Sequence, residues 1–150
     1  MAKIKNVIGR QVFDSRGNPT VEAEIYLDDG SSATAISPSG ASTGAFEAHE
    51  LRDKEQNKFL GKSVNIAVQN INSKISNKLK KLDFNEQEKI DKILIDLDGT
   101  ENKTNLGANA TLAVSLAYAK CAAIANNQSL YKSLGKSSSL PIPLMNIING

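Results

Sequence analysis

The chain carries one cysteine, one histidine and four prolines in 150 residues, and only 5% of it is aromatic. The scarcities exclude several classes. A single cysteine, Cys121, cannot close an internal disulfide, and such a chain fits a reducing compartment. No group of cysteines and histidines has zinc-site spacing. Cys121 sits among alanines on a helical pattern, so a buried, inert thiol is the expectation. No charge of one sign dominates: 18 lysines and arginines face 16 aspartates and glutamates, for a net charge of +2. That balance makes neither nucleic acid nor a membrane a required partner. The cluster Lys78, Lys80, Lys81 reads as the wet end of a helix. The N-terminus has no apolar signal region, and no stretch approaches a membrane span. A cytoplasmic protein is therefore expected. Asn102-Lys103-Thr104 and Asn127-Gln128-Ser129 are then chance matches to the glycosylation pattern. Internal repeats are lacking too.

What is present is patterned. Ile4 to Asp14 reads as a strand, and Asp14-Ser15-Arg16-Gly17-Asn18-Pro19 as a turn. In "TVEAEIYL" Val21, Ala23, Ile25 and Leu27 alternate with Glu22, Glu24 and Tyr26, a period of two. Asp28-Asp29-Gly30 is a hairpin turn, and Ser32 to Ile36 a third strand. Beyond residue 63 the period changes. Val64, Val68, Ile71, Ile75, Leu79 and Leu82 predict one face of a long helix. Asn85 with Glu88 reads as a capping box for a helix with Ile90, Ile93, Leu94 and Leu97 inside. Residues 108–125 hold eight alanines, the mark of a helix packed closely on its neighbours, and Leu130 to Leu134 is a short last helix closed by Gly135. Strands first and helices after, without βαβ alternation, predict an α+β domain, a three-stranded antiparallel meander followed by a helical bundle. It is expected to occupy 1–136. The tail, 137–150, turns extended around Pro141 and Pro143 and into an apolar run with no sheet left to join. It reads as a linker and the start of a further domain, and the C-terminus as a cut.

Between strands and helices lies "SPSGASTGAFEAHELRD", Ser37 to Asp53. From Ser37 to Ala45 nothing exceeds a proline or threonine in size, and a charged run follows. Such a loop is either a mobile surface connection, or a segment whose backbone and hydroxyls approach a phosphate or cation and swing as a lid on Gly40 and Gly44. It does not close with Gly-Lys-Ser/Thr at P-loop spacing, which argues against a nucleotide site.

Four segments together resemble enolase: "DSRGNPTVEAE" at 14–24, "PSGASTG" with the E-A-x-E-L-R-D run at 38–53, "DGTENKTNLGANATLAVSLAYAK" at 98–120, and "LPIPLMNIING" at 140–150. The likeness runs in order from Ile4 to Gly150, with the bacterial form closest. It implies a magnesium-dependent lyase of glycolysis, phosphopyruvate hydratase, which interconverts 2-phosphoglycerate and phosphoenolpyruvate. It implies a meander-plus-helices domain capping an α/β barrel, with the PSGASTG loop as a lid over the substrate. By the match, Ser42 is a ligand of the second, substrate-induced Mg²⁺. Gly40, Ala41 and Thr43 belong to the substrate lid, with the Gly40 and Ala41 backbone close to the substrate. Arg10 and Glu22 match residues that bridge a homodimer, each to the barrel of the other subunit. His49 stands where the family usually has an apolar residue, and is expected to be a partly exposed residue without a catalytic role. Ser37 also departs from the family, which puts an apolar or small residue before the proline. Asn105 and Gly107 shape the entry to the alanine-rich helix.

The resemblance places the general base, the acid and the tight metal site on a barrel that typically needs about 250 residues. The 150-residue chain alone is therefore expected to be inactive. Two other readings stay open: a capping domain from a relative that abstracts a proton beside some other carboxylate, and a stand-alone module whose loop and polar strand face bind a protein. A secondary pool at the cell surface or outside the cell, without a signal peptide, is compatible with all three.

Overall fold

The alternation in the second strand decides which side of the sheet is covered. Val21, Ala23, Ile25 and Leu27 are buried, while Glu22, Glu24 and Tyr26 are half-buried on the opposite face. The computed structural model describes residues 2–40, 44, 46–80, 82–83, 86–135, 139–140, 142–145 and 147–148. Its strands β1 (Ile4–Phe13), β2 (Pro19–Leu27) and β3 (Ser32–Ile36) form an antiparallel sheet in the order β1-β2-β3. This is the expected meander. β1 stops one residue short of the predicted end because Asp14 belongs to the turn. Its carboxylate accepts the Arg16 and Asn18 amides at 2.8 and 2.9 Å, and Gly17 takes φ +74°.

The long helix predicted for 64–82 is less regular than its spacing. It comprises α1 (Asn65–Asn70), a π-helical segment (Ile71–Ile75) and α2 (Ser76–Leu79). Val64, Ile71, Ile75 and Leu79 are buried as expected, with Val68 and Leu82 at the margin of the core. The wide turn lies where the helix meets β1. There the Asn72 side-chain amide accepts the Gly9 N–H at 2.8 Å and donates to the Gly9 carbonyl at 3.0 Å, as a neighbouring strand would. Ile71 packs on the same glycine. A Cβ at Gly9 would lie 2.9 Å from Ile71 Cβ, so only glycine lets the helix come this close. Asp53 starts α1 from a distance: its two carboxylate oxygens accept the Asn65 and Ile66 amides, each at 2.9 Å.

Helix α3 spans Gln87–Asp98 and is closed by Gly99 at φ +70°. Its N-cap is Glu86, one residue after the position the capping box assigned; Asn85 itself lies outside the described residues. Ile90 and Leu94 are buried and Ile93 and Leu97 pack at the edge of the core. Helix α4, Ala108–Ala125, lies across β2 and β3, its alanines allowing close approach. By length and composition alone it is apolar enough to cross a membrane, which corrects the expectation that no stretch is. Here it is the core helix under the sheet, with Ala113, Ala117 and Tyr118 fully buried. Cys121 is buried on it against the Ile25 carbonyl, and burial pushes its thiol up to about 11. Helix α5, Leu130–Leu134, is short and mostly exposed. The described residues of 139–148 form no strand, and Leu140, Ile142, Leu144 and Ile147 stand in solvent.

Candidate functional site

Two clamps hold the loop that follows β3. The first lies on its N-terminal limb. Ser37 is 3% exposed. Its N–H donates to the Val21 carbonyl at 2.8 Å, and its carbonyl accepts the Thr20 hydroxyl at 2.6 Å. Through its backbone Ser37 therefore continues the pairing with β2 one residue beyond β3. Two residues on, the Ser39 hydroxyl accepts Arg52 Nη2 at 3.0 Å and donates to Glu50 Oε2 at 3.4 Å. The Ser39 carbonyl accepts Arg16 Nη2 at 3.3 Å, and Arg16 is paired with Asp14. Arg52 is the hub. Its guanidinium also meets Glu50 Oε1 at 2.7 Å, the Pro19 carbonyl at 3.2 Å and the Lys62 carbonyl.

The second clamp lies after the loop. His49 donates its backbone N–H to the Asn102 carbonyl at 2.7 Å, and its carbonyl accepts the Ala108 N–H at 2.8 Å. Asn109 then takes Leu51 by both backbone groups. Gly107 makes room: at φ +93°, a Cβ there would lie 2.6 Å from Leu51 Cβ and 2.5 Å from Asn109 Oδ1. The preceding turn is organised by Asp98, which is buried at the end of α3. Its carboxylate accepts the Leu106 amide at 2.7 Å, the Thr100 amide at 3.0 Å and the Thr100 hydroxyl. Burial alone would raise this acid, but those donors hold it below the ordinary carboxylate value. Asn105 donates to the Asp98 carbonyl at 2.8 Å, and Asn70 donates to the carbonyls of Asn105 and Leu106. Asn105 and Gly107 thus sit at the entry to α4, where the sequence put them.

Between the loop limbs and helices α3 and α4 lies an open cavity of about 510 Å³. Leu94 and Leu112 line its apolar part; Glu47, Glu50, Asp91 and Lys103 line its charged part. Gly40 borders it and is exposed. Ala41, Ser42 and Thr43, the centre of the expected lid, lie outside the described residues. Among the described residues no group of three or more His, Cys, Asp or Glu could hold a metal ion. A tripeptide of P-loop type does occur further on, Gly61-Lys62-Ser63, but Gln56 replaces the glycine that the spacing needs, and the buried Ser63 hydroxyl donates to Gln11 Oε1 at 2.9 Å.

Arg10 and Glu22 face each other across β1 and β2, and Glu22 pairs on its other side with Ile36, the last residue of β3. Arg10 Nη1 meets Glu22 at 3.2 Å and Nη2 meets Glu24 at 2.5 Å. The Tyr26 hydroxyl, followed by Arg10, holds Glu24 below its ordinary value. In the single chain the two expected dimer residues pair with one another. His49 is half-buried in a loop, held by its backbone.

The sequence reading passed over Ser39, Arg52, Asp98 and Asn109 as site-forming groups. The charged run after the loop was the one visible signal, and of these four it contains only Arg52. Compared with known families, residues 4–134, from the start of β1 to the end of α5, match the family model described as the N-terminal domain of enolase.

Proposed function

The chain belongs to the enolase family, through its N-terminal domain, and from that premise we propose that it caps the active site of a bacterial-type enolase. In this reading the whole enzyme is phosphopyruvate hydratase, a Mg²⁺-dependent carbon–oxygen lyase of glycolysis in the cytoplasm. It interconverts 2-phosphoglycerate and phosphoenolpyruvate as a homodimer. The family match over nearly the whole meander and helical bundle is the observation that carries it.

The chain's own residues bind, orient and exclude water. Gly40, Ala41, Ser42 and Thr43 form the lid, small enough to close against a phosphorylated acid and strip water from it. Clamps at Ser37–Ser39 and His49–Leu51 hold the described segments on either side of that loop to the sheet and to α4. Mg²⁺ prefers about six hard oxygens and shares them with water and substrate phosphate. The described residues offer no such set of their own, so the Ser42 hydroxyl would be one added donor to a metal held elsewhere. The chemistry such a metal would supply when bound is stabilisation of negative charge developing on the substrate. Base, acid and primary metal ligands belong in this reading to a barrel domain, and the 150 residues alone are inactive.

The test is phosphoenolpyruvate formation from 2-phosphoglycerate by the full-length enzyme that carries this domain. Activity that needs Mg²⁺ and disappears with a chelator supports the reading. No phosphoenolpyruvate at any Mg²⁺ concentration sinks it.

A further inference from the structure

Two Asp-Gly pairs occur in the chain, Asp29-Gly30 and Asp98-Gly99, and the fold treats them differently. Asp98 is 2% exposed, and its carboxylate is held by the Leu106 and Thr100 amides and the Thr100 hydroxyl. The Gly99 N–H donates to the Ile95 carbonyl at 2.9 Å as it closes α3. Asp29 lies in the turn between β2 and β3, where Asp28, Asp29 and Gly30 are all exposed. Among the described residues a single donor reaches its carboxylate, the Ser31 amide at 2.8 Å. The Gly30 N–H donates to the Leu27 carbonyl at 3.3 Å, the longest backbone bond of this turn. Gly30 stands at φ +92°, and a Cβ there would meet nothing within 4 Å, so its peptide plane has room to turn.

We propose that Asp29-Gly30 is a site of spontaneous aspartate isomerisation, which the fold confines to the β2–β3 turn by protecting Asp98. With no side chain on Gly30 to shield it, its backbone nitrogen attacks Asp29 Cγ. The C–N bond forms as the nitrogen gives up its proton and a carboxyl oxygen leaves as water. The product is a five-membered cyclic imide. Water then opens one of its two carbonyls. Attack at Cγ restores aspartate, and attack at the backbone carbonyl leaves the main chain running through Cβ and Cγ. The water lost is regained, so the net change is an isomerisation without oxidant or reductant. Closure draws on the protonated carboxyl, so the donors that keep Asp98 ionised protect it a second time. At Asp29 the β-linked product adds one methylene to a turn whose length sets the hairpin register. The bond from the Leu27 N–H to the Ser31 carbonyl, 2.9 Å, spans that turn. Beside it Asp28 accepts the Lys3 amide at 2.8 Å and donates its own N–H to the Lys3 carbonyl at 3.0 Å. The modification therefore loosens both the hairpin end and its tie to the residue before β1.

Peptide mapping of the aged chain reads the site. After weeks near neutral pH, fragmentation that separates α- from β-linked aspartate is applied to the tryptic peptides 17–52 and 93–103. Asn149-Gly150 can give the same product and is read on its own peptide. In the folded chain, β-linked product at Asp29 should exceed that at Asp98 by roughly tenfold or more, because Asp98 reacts only when its turn opens. In urea both turns are open, and the ratio should fall toward one. Asp29→Glu keeps the charge but would need a larger ring, and should abolish the product on 17–52. Folded-chain product at Asp29 no greater than at Asp98 overturns the proposal, as does product at Asp29 in urea alone. Amide hydrogen exchange at Lys3 and Leu27 should be faster in the isomerised fraction than in fresh chain. Unchanged exchange there removes the link to the hairpin register.

Discussion

The side-chain amide of Asn109 closes on the backbone of Leu51 from both ends: it accepts the Leu51 N–H at 3.2 Å and donates to the Leu51 carbonyl at 3.0 Å. Asn109 is 4% exposed and stands 58 residues away in sequence. One amide thereby fastens the C-terminal limb of the loop to the first turn of α4. Asn109→Ala leaves both Leu51 groups without this partner, at a cost of about 2–3 kcal/mol. Urea unfolding of the 150-residue chain measures it. Gly107→Ala should cost at least as much, since its Cβ meets both Leu51 and Asn109 at φ +93°. Gly17→Ala, also at positive φ but with nothing within 4 Å, should cost only about 1 kcal/mol. Equal losses at the two glycines would contradict the packing argument.

Gly9 and Ile71 give a second test. A methyl at Gly9 lands on Ile71 Cβ, a branched atom that no rotamer change removes. Gly9→Ala should destabilise by about 1–3 kcal/mol. Combined with Ile71→Ala, whose own cavity cost is about 2–5 kcal/mol and which keeps Cβ but removes the Cγ2 and Cδ1 atoms 3.0 and 3.2 Å from the added methyl, the loss should be only partly less than additive. Strict additivity in the double-mutant cycle would mean that the two residues do not share the space.

Asp98 makes stability depend on acid. Burial raises its proton affinity, but the Thr100 hydroxyl and the Leu106 and Thr100 amides more than offset this, and its folded value lies below the unfolded 3.8. A lowered folded value stabilises the fold above the unfolded value, and that contribution drains away as the pH falls through the folded one. Asp14 and Asp53 are lowered too and act in the same direction. Denaturation midpoints should be flat near neutrality and drop as the pH falls below about 4. Asp98→Asn should cost about 1–3 kcal/mol at pH 7 and show a shallower acid slope. An unchanged slope would exclude Asp98 from the acid response.

Arg10 and Glu22 are 42% and 20% exposed at the side chain and pair across two strands of one chain. Such a pair is worth little, so Glu22→Gln should move the stability of the chain by less than about 1 kcal/mol. If these residues reach a second subunit in the full enzyme, the same change should raise the dimer dissociation constant. Sedimentation at falling protein concentration reads this. A dimer unaffected by both Arg10→Ala and Glu22→Gln would leave the pair an internal feature of the sheet.

Ser42→Ala tests the lid in the full-length enzyme. Losing a metal ligand should cost at least as much as losing a residue that only supports one, so turnover should fall roughly tenfold or more. Binding of the first Mg²⁺, followed by calorimetry without substrate, should stay as in the wild type. Unchanged turnover across Mg²⁺ concentrations would take Ser42 off the ligand set.

Much of the fold was legible because its signals are local. The period of two in 20–27 and the spacing of Ile90, Ile93, Leu94 and Leu97 record which face is buried, and each depends on neighbours within one element. The motif runs carried the family in the same way, residue by residue. The π-helical turn at Ile71–Ile75 was not legible, because it lies where the helix meets Gly9, a residue 62 positions upstream of Ile71 by numbering. Nor were the clamps. Arg52 looked like one charge in a run, and Asn109 like one residue of a helix entry. Their roles depend on Pro19, Ser39, Lys62 and Leu51 arriving within hydrogen-bond distance, and no spacing along the chain encodes that arrival. The sequence by itself determined the α+β class, the core faces and the family likeness. Only the tertiary structure decided what holds the loop, because a hydrogen bond between distant segments exists only once packing has brought them together.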